Sequence, residues 1–306
     1  MKQTLFLCLS LLTVFSGINL VCAQTWEQDM TIINFGYAKY TFSPYSGAIV
    51  VTPFDSETGM ERFQQSKFKK AFFKLAPHYA PQQHITTCGI ASSVMVLNTI
   101  YAGNKLTPPV SVSGSWVAPE YKEVYANFVW TEENFFNSKI AGILSRDVVE
   151  GKTKVDGDYD VGVGLDKLAK VLSLQGLQSK AYHIDQVSNS GLDQFRSIIK
   201  QITANPDTFM IANYNLQIQS EIDGGHFSPI GAYDEISDSV LVIDTWSAFA
   251  PWVWINLYDL YHSLHTLDAK TYRGYILVDT KIAENPARAV TSPLTGSGTD
   301  TVFFKH

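Results

Sequence analysis

Gly225-His226-Phe227-Ser228-Pro229-Ile230-Gly231 is the stretch that decides how the chain folds. It is a short apolar run carrying one imidazole, too short and too interrupted by Gly and Pro for a core helix. The polar residues Asp234 to Ser239 follow, and then Val240-Leu241-Val242-Ile243-Asp244. Two apolar runs split by a short polar segment read as an antiparallel hairpin. Such a hairpin can set a histidine of one strand beside an aspartate of the next, where the carboxylate fixes the ring tautomer and stabilises imidazolium. Working outward, Phe209 to Tyr214 and Gly274 to Val278 add two more strands of buried-sheet composition.

Upstream the pattern is helical. The spacing predicts helices over Glu61 to Lys70, over Ala91 to Tyr101 behind Cys88, from a Thr131 cap toward Leu144, over Asp166 to Leu174, and over Leu192 to Thr203, closed by Asn205-Pro206. One further helix, Leu257 to Asp268, precedes the last strand. Helices first and strands later predict an α+β domain rather than a parallel βαβ array, with a helical lobe to about residue 205, a sheet lobe over about 206–283 and a tail from 284.

Composition narrows the class. Of 306 residues 45% are hydrophobic and 17% charged, which suits a folded globular core and excludes a disordered chain. The net charge of −6, with no Lys/Arg-rich run, argues against a nucleic-acid partner, since phosphate binding needs clustered cations. Lys2, the apolar Leu5 to Phe15, and the small residues before Gln24 in Val21-Cys22-Ala23 predict a secretory leader over residues 1–23. The expected destination is a periplasm or the outside of the cell, with no membrane association once the leader is cut. Cys8 and Cys22 leave with it, so Cys88 is the single mature thiol and cannot form an internal disulfide. A lone thiol in an oxidising compartment is a liability that hints at use; the alternative is a buried cysteine acting as a small hydrophobe.

If Cys88 opens its helix, the unpaired N–H groups and partial positive charge there favour a thiolate, and a neighbouring imidazolium would favour it further. His226 is the candidate partner and Asp244 the candidate orienting carboxylate. Gln82, six residues before the thiol, has an amide that could join the Cys88 backbone N–H in stabilising an oxyanion. Each residue alone also fits a core role.

Together these residues carry a resemblance. Phe72-Phe73-Lys74-Leu75, Gln82, Cys88-Gly89-Ile90-Ala91-Ser92, Val96-Leu97-Asn98, Asn213-Tyr214, the His226 to Gly231 block and Ile243-Asp244 resemble the catalytic core of the phytochelatin synthase family from about Pro53 to Val278. The resemblance implies a papain-like cysteine-peptidase fold. It makes Cys88 the nucleophile, His226 the general base and acid, Asp244 its orienting partner and Gln82, rather than Gln83, the oxyanion donor. It also implies that Asn213, Gly225, Asp268 and Arg273 hold the γ-glutamyl end of glutathione, Arg273 through the substrate carboxylate and Asp268 through the α-ammonium. No cofactor is implied for acylation, and a heavy-metal ion, Cd²⁺ or Zn²⁺, would enter only as metal-thiolate substrate.

The implied reaction is attack on the Cys-Gly amide of glutathione, release of glycine, and a γ-glutamylcysteinyl thioester resolved by water or by a second glutathione. Where the family usually has an Arg-aromatic-Lys-Tyr-Pro-Pro run after the aspartate, this chain reads Ser247-Ala248-Phe249-Ala250-Pro251-Trp252. The polar anchors of an acceptor peptide are missing, so hydrolysis is the expected main outcome. The cysteine-rich C-terminal region of the plant and yeast enzymes is not in this sequence either. Two rivals are a papain-like peptidase or amidase of other substrate and a non-catalytic exported metal-binding protein. His262 and His265 lack an evident third metal ligand, and Asp156-Gly157-Asp158-Tyr159-Asp160 lacks the glycine and terminal glutamate of a calcium loop. The sequence leaves oligomeric state open, a homodimer included.

Overall fold

The structure, a computed structural model, describes residues 44–47, 51–101, 129–154, 161–205, 207–219, 223–246 and 252–282. The expected leader, the acidic segment 156–160, residues 247–251 and the tail from 284 lie outside the described residues.

In chain order the elements are β1 (Val51–Pro53), α1 (Glu57–Gln65), α2 (Lys70–Leu75), α3 (Cys88–Tyr101), α4 (Glu132–Phe135), α5 (Arg146–Val149), α6 (Leu165–Leu174), β2 (Leu177–His183), α7 (Asn189–Ala204), β3 (Thr208–Asn215), β4 (Gly225–Asp234), β5 (Ser239–Val242), β6 (Val253–Asn256), α8 (Leu257–Leu264), β7 (Leu267–Asp268), β8 (Thr271–Tyr272) and β9 (Gly274–Ile282). Seven strands form one sheet in the order β1-β6-β5-β4-β3-β9-β2, and its neighbouring strands pair antiparallel. The fold class is α+β.

Side chains of the sheet alternate between two cores. Phe209, Ile211, Phe227, Ile243 and Ile276 face Ile90, Val94 and Leu97 of α3, with Leu168 and Leu172 of α6. Met210, Ala212, Tyr214, Ile230 and Leu277 face Phe195 and Ile199 of α7 and Leu257 and Leu260 of α8. Because both faces are covered, β3 and β4 read as continuous apolar runs, and their period-2 signal is lost. The hairpin expected from residues 225 to 244 is present: Ile230 pairs with Val242 and Asp234 with Ser239, with one register shift between Ile230 and Ala232.

Several boundaries differ from the sequence expectation, each for a local reason. The helix expected from Thr131 to Leu144 ends at Phe135. Its start is as expected, with Thr131 and Asn134 forming a reciprocal capping box. Asn137 then donates from Nδ2 to the carbonyls of Asn134 and Phe135 and accepts the Lys139 N–H, replacing helical hydrogen bonds with side-chain ones. The helix expected over Glu61 to Lys70 starts earlier, at Glu57, because Ser56 caps it, its Oγ accepting the Gly59 N–H. It stops at Gln65, and Phe68 bridges to Tyr233 of β4. The helix expected over Leu257 to Asp268 ends at Leu264, since Leu267 and Asp268 pair back onto Tyr272 and Thr271 through Ala269 at φ 54°. Five strands were not expected: β1 and β2, which the helical half of the chain contributes to the two edges of the sheet, β6, and the short pair β7 and β8.

Helix α3 reaches β4 through Gly89. A Cβ there would lie 2.9 Å from Val163 Cγ1, 3.1 Å from Leu168 Cδ2 and 3.2 Å from Phe227 Cδ2. The close contact lets Ser92 Oγ donate to the Phe227 carbonyl at 3.1 Å. Gly89→Val is expected to destabilise the fold by about 1–3 kcal/mol through overpacking, read as a lower urea midpoint; an unchanged midpoint would mean that α3 and β4 are not tightly apposed.

Candidate active site

Cys88 is the first residue of α3 and is 7% exposed. It is thus placed where backbone N–H groups have no helical partner. The loop in front of it is held from several sides. The Gln82 N–H donates to Thr245 O at 2.7 Å, and the Gln83 N–H donates to Glu132 Oε1 at 2.9 Å. The His84 N–H donates to Thr87 Oγ1 at 3.1 Å, and the Thr87 N–H returns to His84 O at 3.0 Å. Burial pushes the Glu132 carboxyl above its ordinary value, against the Gln83 N–H and the Thr87 hydroxyl, which stabilise its ionised form.

His226, near the start of β4, and Asp244, just past the end of β5, are 3% and 0% exposed. His226 Nε2–H donates to Asp244 Oδ1 at 2.8 Å, a direction required by a carboxylate that can only accept. Asp244 Oδ1 also accepts the Trp246 N–H at 2.7 Å, and Oδ2 accepts from the Gln219 side-chain amide. Burial by itself would lower the imidazole, but the charges of Asp244 and Cys88, and hydrogen bonds to both, raise it to about 10. For Asp244 burial would raise the carboxyl, yet the His226 charge and hydrogen bond, the Trp246 N–H and the Gln219 amide hold it below its ordinary value. Cys88, His226 and Asp244 therefore lie together in one buried group, His226 hydrogen-bonded to Asp244 and the ring's charged form favoured by both neighbours. Tyr214 meets the imidazole edge-on at 5.6 Å between centroids and Trp246 lies 6.0 Å away. Burial first, then the Asp244 charge, pushes the Tyr214 phenol well above its usual value, so it stays neutral.

Gln82 is buried, but its amide is engaged in the same loop. Nε2 donates to His84 O at 2.9 Å and to Ile85 O at 3.0 Å, while Oε1 has no partner among the described residues. Gln83 is exposed.

A second polar cluster lies one residue along the same two strands. Asn213, next to Tyr214, is 1% exposed, and neither end of its amide has a partner among the described residues. Gly225, next to His226, leaves the space open: a Cβ there would lie 3.1 Å from Arg273 Nε and 3.5 Å from Asn213 Oδ1. Arg273 is 6% exposed; its Nη1 donates to Thr266 Oγ1 at 3.0 Å and Leu267 O at 2.5 Å, its Nη2 lies 3.7 Å from Asp268 Oδ1, and its Nε lacks a partner among the described residues. The four residues expected at a substrate end are brought together. His265 Nδ1 bonds Ile184 O at 2.9 Å and its ring stacks on Tyr272, whereas His262 packs on Tyr258. Among the described residues no group of three or more His, Cys, Asp or Glu could hold a metal ion.

Sequence reasoning did not single out Gln219, Trp246 or Tyr45. Burial pushes the Tyr45 phenol up to about 12, against Arg273, with the charges of Asp223 and Asp259 adding to the rise. None of the three lies in a spacing motif; Trp246 alone had a signal, two residues beyond the candidate aspartate.

A family model described as phytochelatin synthase matches residues 48–275. Glutathione gamma-glutamylcysteinyltransferase 1 of Lotus japonicus is 26% identical over 230 residues, covering 74% of this chain and 40% of the relative. The corresponding protein 2 of Arabidopsis thaliana is 25% identical, covering 74% and 44%, and that of Schizosaccharomyces pombe 23% identical, covering 74% and 48%. The matched stretch spans less than half the length of these relatives.

Asp244→Asn removes the largest influence raising His226. Its imidazole resonance is expected to titrate at lower pH than in the parent protein, because the imidazolium has lost its counter-charge; an unmoved NMR titration would dissociate the two residues.

Proposed function

The chain belongs to the phytochelatin synthase family, and from that premise we propose that it cleaves glutathione at the Cys-Gly amide through a thioester on Cys88, within a papain-like arrangement of helix and sheet. The observation that carries this reading is the buried Cys88–His226–Asp244 chain beside a polar cluster whose Asn213 amide and Arg273 Nε lack protein partners.

The Cys88 sulfur attacks the cysteinyl carbonyl carbon of glutathione. The oxyanion faces the N-terminal end of α3, where the Cys88 N–H can donate. Gln82 donation to the same oxygen requires its amide to exchange the carbonyl of His84 or Ile85 for the substrate. His226 passes its proton to the departing glycine nitrogen, the C–N bond breaks, and a γ-glutamylcysteinyl thioester remains. Water, deprotonated by the now neutral His226, then attacks the thioester carbonyl; the C–S bond breaks, γ-glutamylcysteine leaves, and the sulfur and the charged ring return to their starting state. Arg273 suits the α-carboxylate of the γ-glutamyl group through its planar fork, Asp268 suits the α-ammonium, and Asn213 supplies both an amide donor and an acceptor.

The curated relatives are named as transferases, and a second glutathione, free or as a Cd²⁺ or Zn²⁺ thiolate, would turn hydrolysis into transfer. We place hydrolysis first, because Ser247-Ala248-Phe249-Ala250-Pro251-Trp252 offers no cation to an acceptor carboxylate. Export by the leader over residues 1–23 belongs to the same proposal.

Incubated with glutathione, the protein is expected to release glycine and γ-glutamylcysteine in equal amounts, and Cys88→Ala to release neither; intact glutathione after incubation with the parent protein would remove the substrate assignment. Arg273→Lys is expected to raise KM for glutathione roughly tenfold or more with little change in kcat, since a charged paired hydrogen bond is lost from binding. An unaltered KM would move the carboxylate site elsewhere.

A further inference from the structure

The loop between β3 and β4 ends in the polar cluster on one side and carries a residue of the other site in its middle. A 3₁₀ turn over Leu216–Ile218 is fixed by Asn215 Oδ1, which accepts the Gln217 N–H at 3.0 Å, and by the Leu216 N–H, which donates to Gly224 O at 2.8 Å. Leu216 and Ile218 are anchored in the core, 5% and 1% exposed. Gln219 caps this turn, its own N–H donating to Leu216 O at 3.0 Å, and is itself 5% exposed. Its side-chain Nε2 donates to Asp244 Oδ2, while Oε1 has no partner among the described residues.

We infer that Gln219 is a positioning residue of the catalytic chain: its amide holds Asp244 Oδ2, so that Oδ1 stays aimed at His226 and the carboxylate stays ionised in a fully buried place. The geometry leaves the task to few groups. Asp244 Oδ1 is occupied by His226 and by the Trp246 N–H, and Gln219 is the donor on Oδ2. The titratable groups facing the carboxylate are His226 on β4, Tyr214 on β3 and Tyr79, both tyrosines neutral and raised first by burial and then by the Asp244 charge, while Cys88 on α3 acts on the His226 ring. Without the Gln219 donor, Oδ2 would be a buried anion oxygen with no hydrogen bond, which favours protonation of the carboxyl and rotation about its last bond. An apolar residue of the same length would fill the space and fail at both tasks. This role rests on the proposed use of Cys88, but it can be read without glutathione.

The test compares Gln219→Met and Gln219→Glu with the parent protein, with circular dichroism to verify folding. The first readout is the pH dependence of Cys88 alkylation by iodoacetamide, which needs no substrate. Gln219 lowers the Asp244 carboxyl, so its removal raises it, and the acid limb of the Met variant is expected to move up by about one to two pH units. With glutathione, kcat is expected to fall and KM to hold. The Glu variant can donate only while protonated, so its reactivity is expected to decline as pH rises through the range where the parent is level. In the parent protein itself, the Gln219 side-chain amide resonance is expected to shift as Asp244 titrates. A folded Met variant with parental acid limb and kcat, a Glu variant with the parental profile, or a Gln219 amide indifferent to pH would each overturn the assignment. Shifted alkylation with no glutathione cleavage by the parent would leave Gln219 in place and remove the substrate instead.

Discussion

A carboxylate with no exposed surface, 2.8 Å from an imidazole with almost none, is the constraint on which the rest of the structure depends. Two buried ionisable groups are stable only where their charges oppose and the remaining lone pairs are filled. Asp244 meets that condition with donors from three parts of the chain: the ring of His226 on β4, the backbone of Trp246, and the side chain of Gln219 from the β3–β4 loop. The charge so held favours the imidazolium form of His226, and an imidazolium is what can stabilise a thiolate at the start of α3.

The antiparallel sheet delivers this geometry with short connections. A turn at Asp234 to Ser239 is enough to return Asp244 to the level of His226, and the helix carrying Cys88 comes from far upstream by packing across the sheet at Gly89. The same strands set Asn213 and Gly225 one residue from Tyr214 and His226, so the polar cluster stands beside the His226–Asp244 pair. Gly225 is glycine because side-chain atoms of Arg273 and Asn213 already stand within 3.5 Å of where a Cβ would be.

Much of this was legible in the sequence because the site is built on the most regular parts of the chain. The apolar runs around Phe209, His226 and Val240 are long enough to be strands and too short to be helices, and the helix behind Cys88 is apolar nearly throughout. What was not legible depends on contacts rather than pattern. β2 mixes Gln178, Ser179 and Lys180 with apolar residues because it is an edge strand, and its partner β9 lies far along the chain. The stop at Phe135 comes from the Asn137 side chain, which a helical periodicity does not register. Gln82 sits where the spacing put it, yet its amide is tied to two loop carbonyls, a detail only coordinates provide. Gln219 has no motif at all; its meaning is the oxygen it faces.

The proposed thioester is tested most directly by intact-protein mass spectrometry of the protein, quenched in acid shortly after mixing with glutathione. One γ-glutamylcysteinyl group is expected on Cys88, stable to disulfide reductants and removed by hydroxylamine. An adduct that a reductant removes, a mixed disulfide, or no adduct at all under conditions where glutathione is being cleaved, would contradict it.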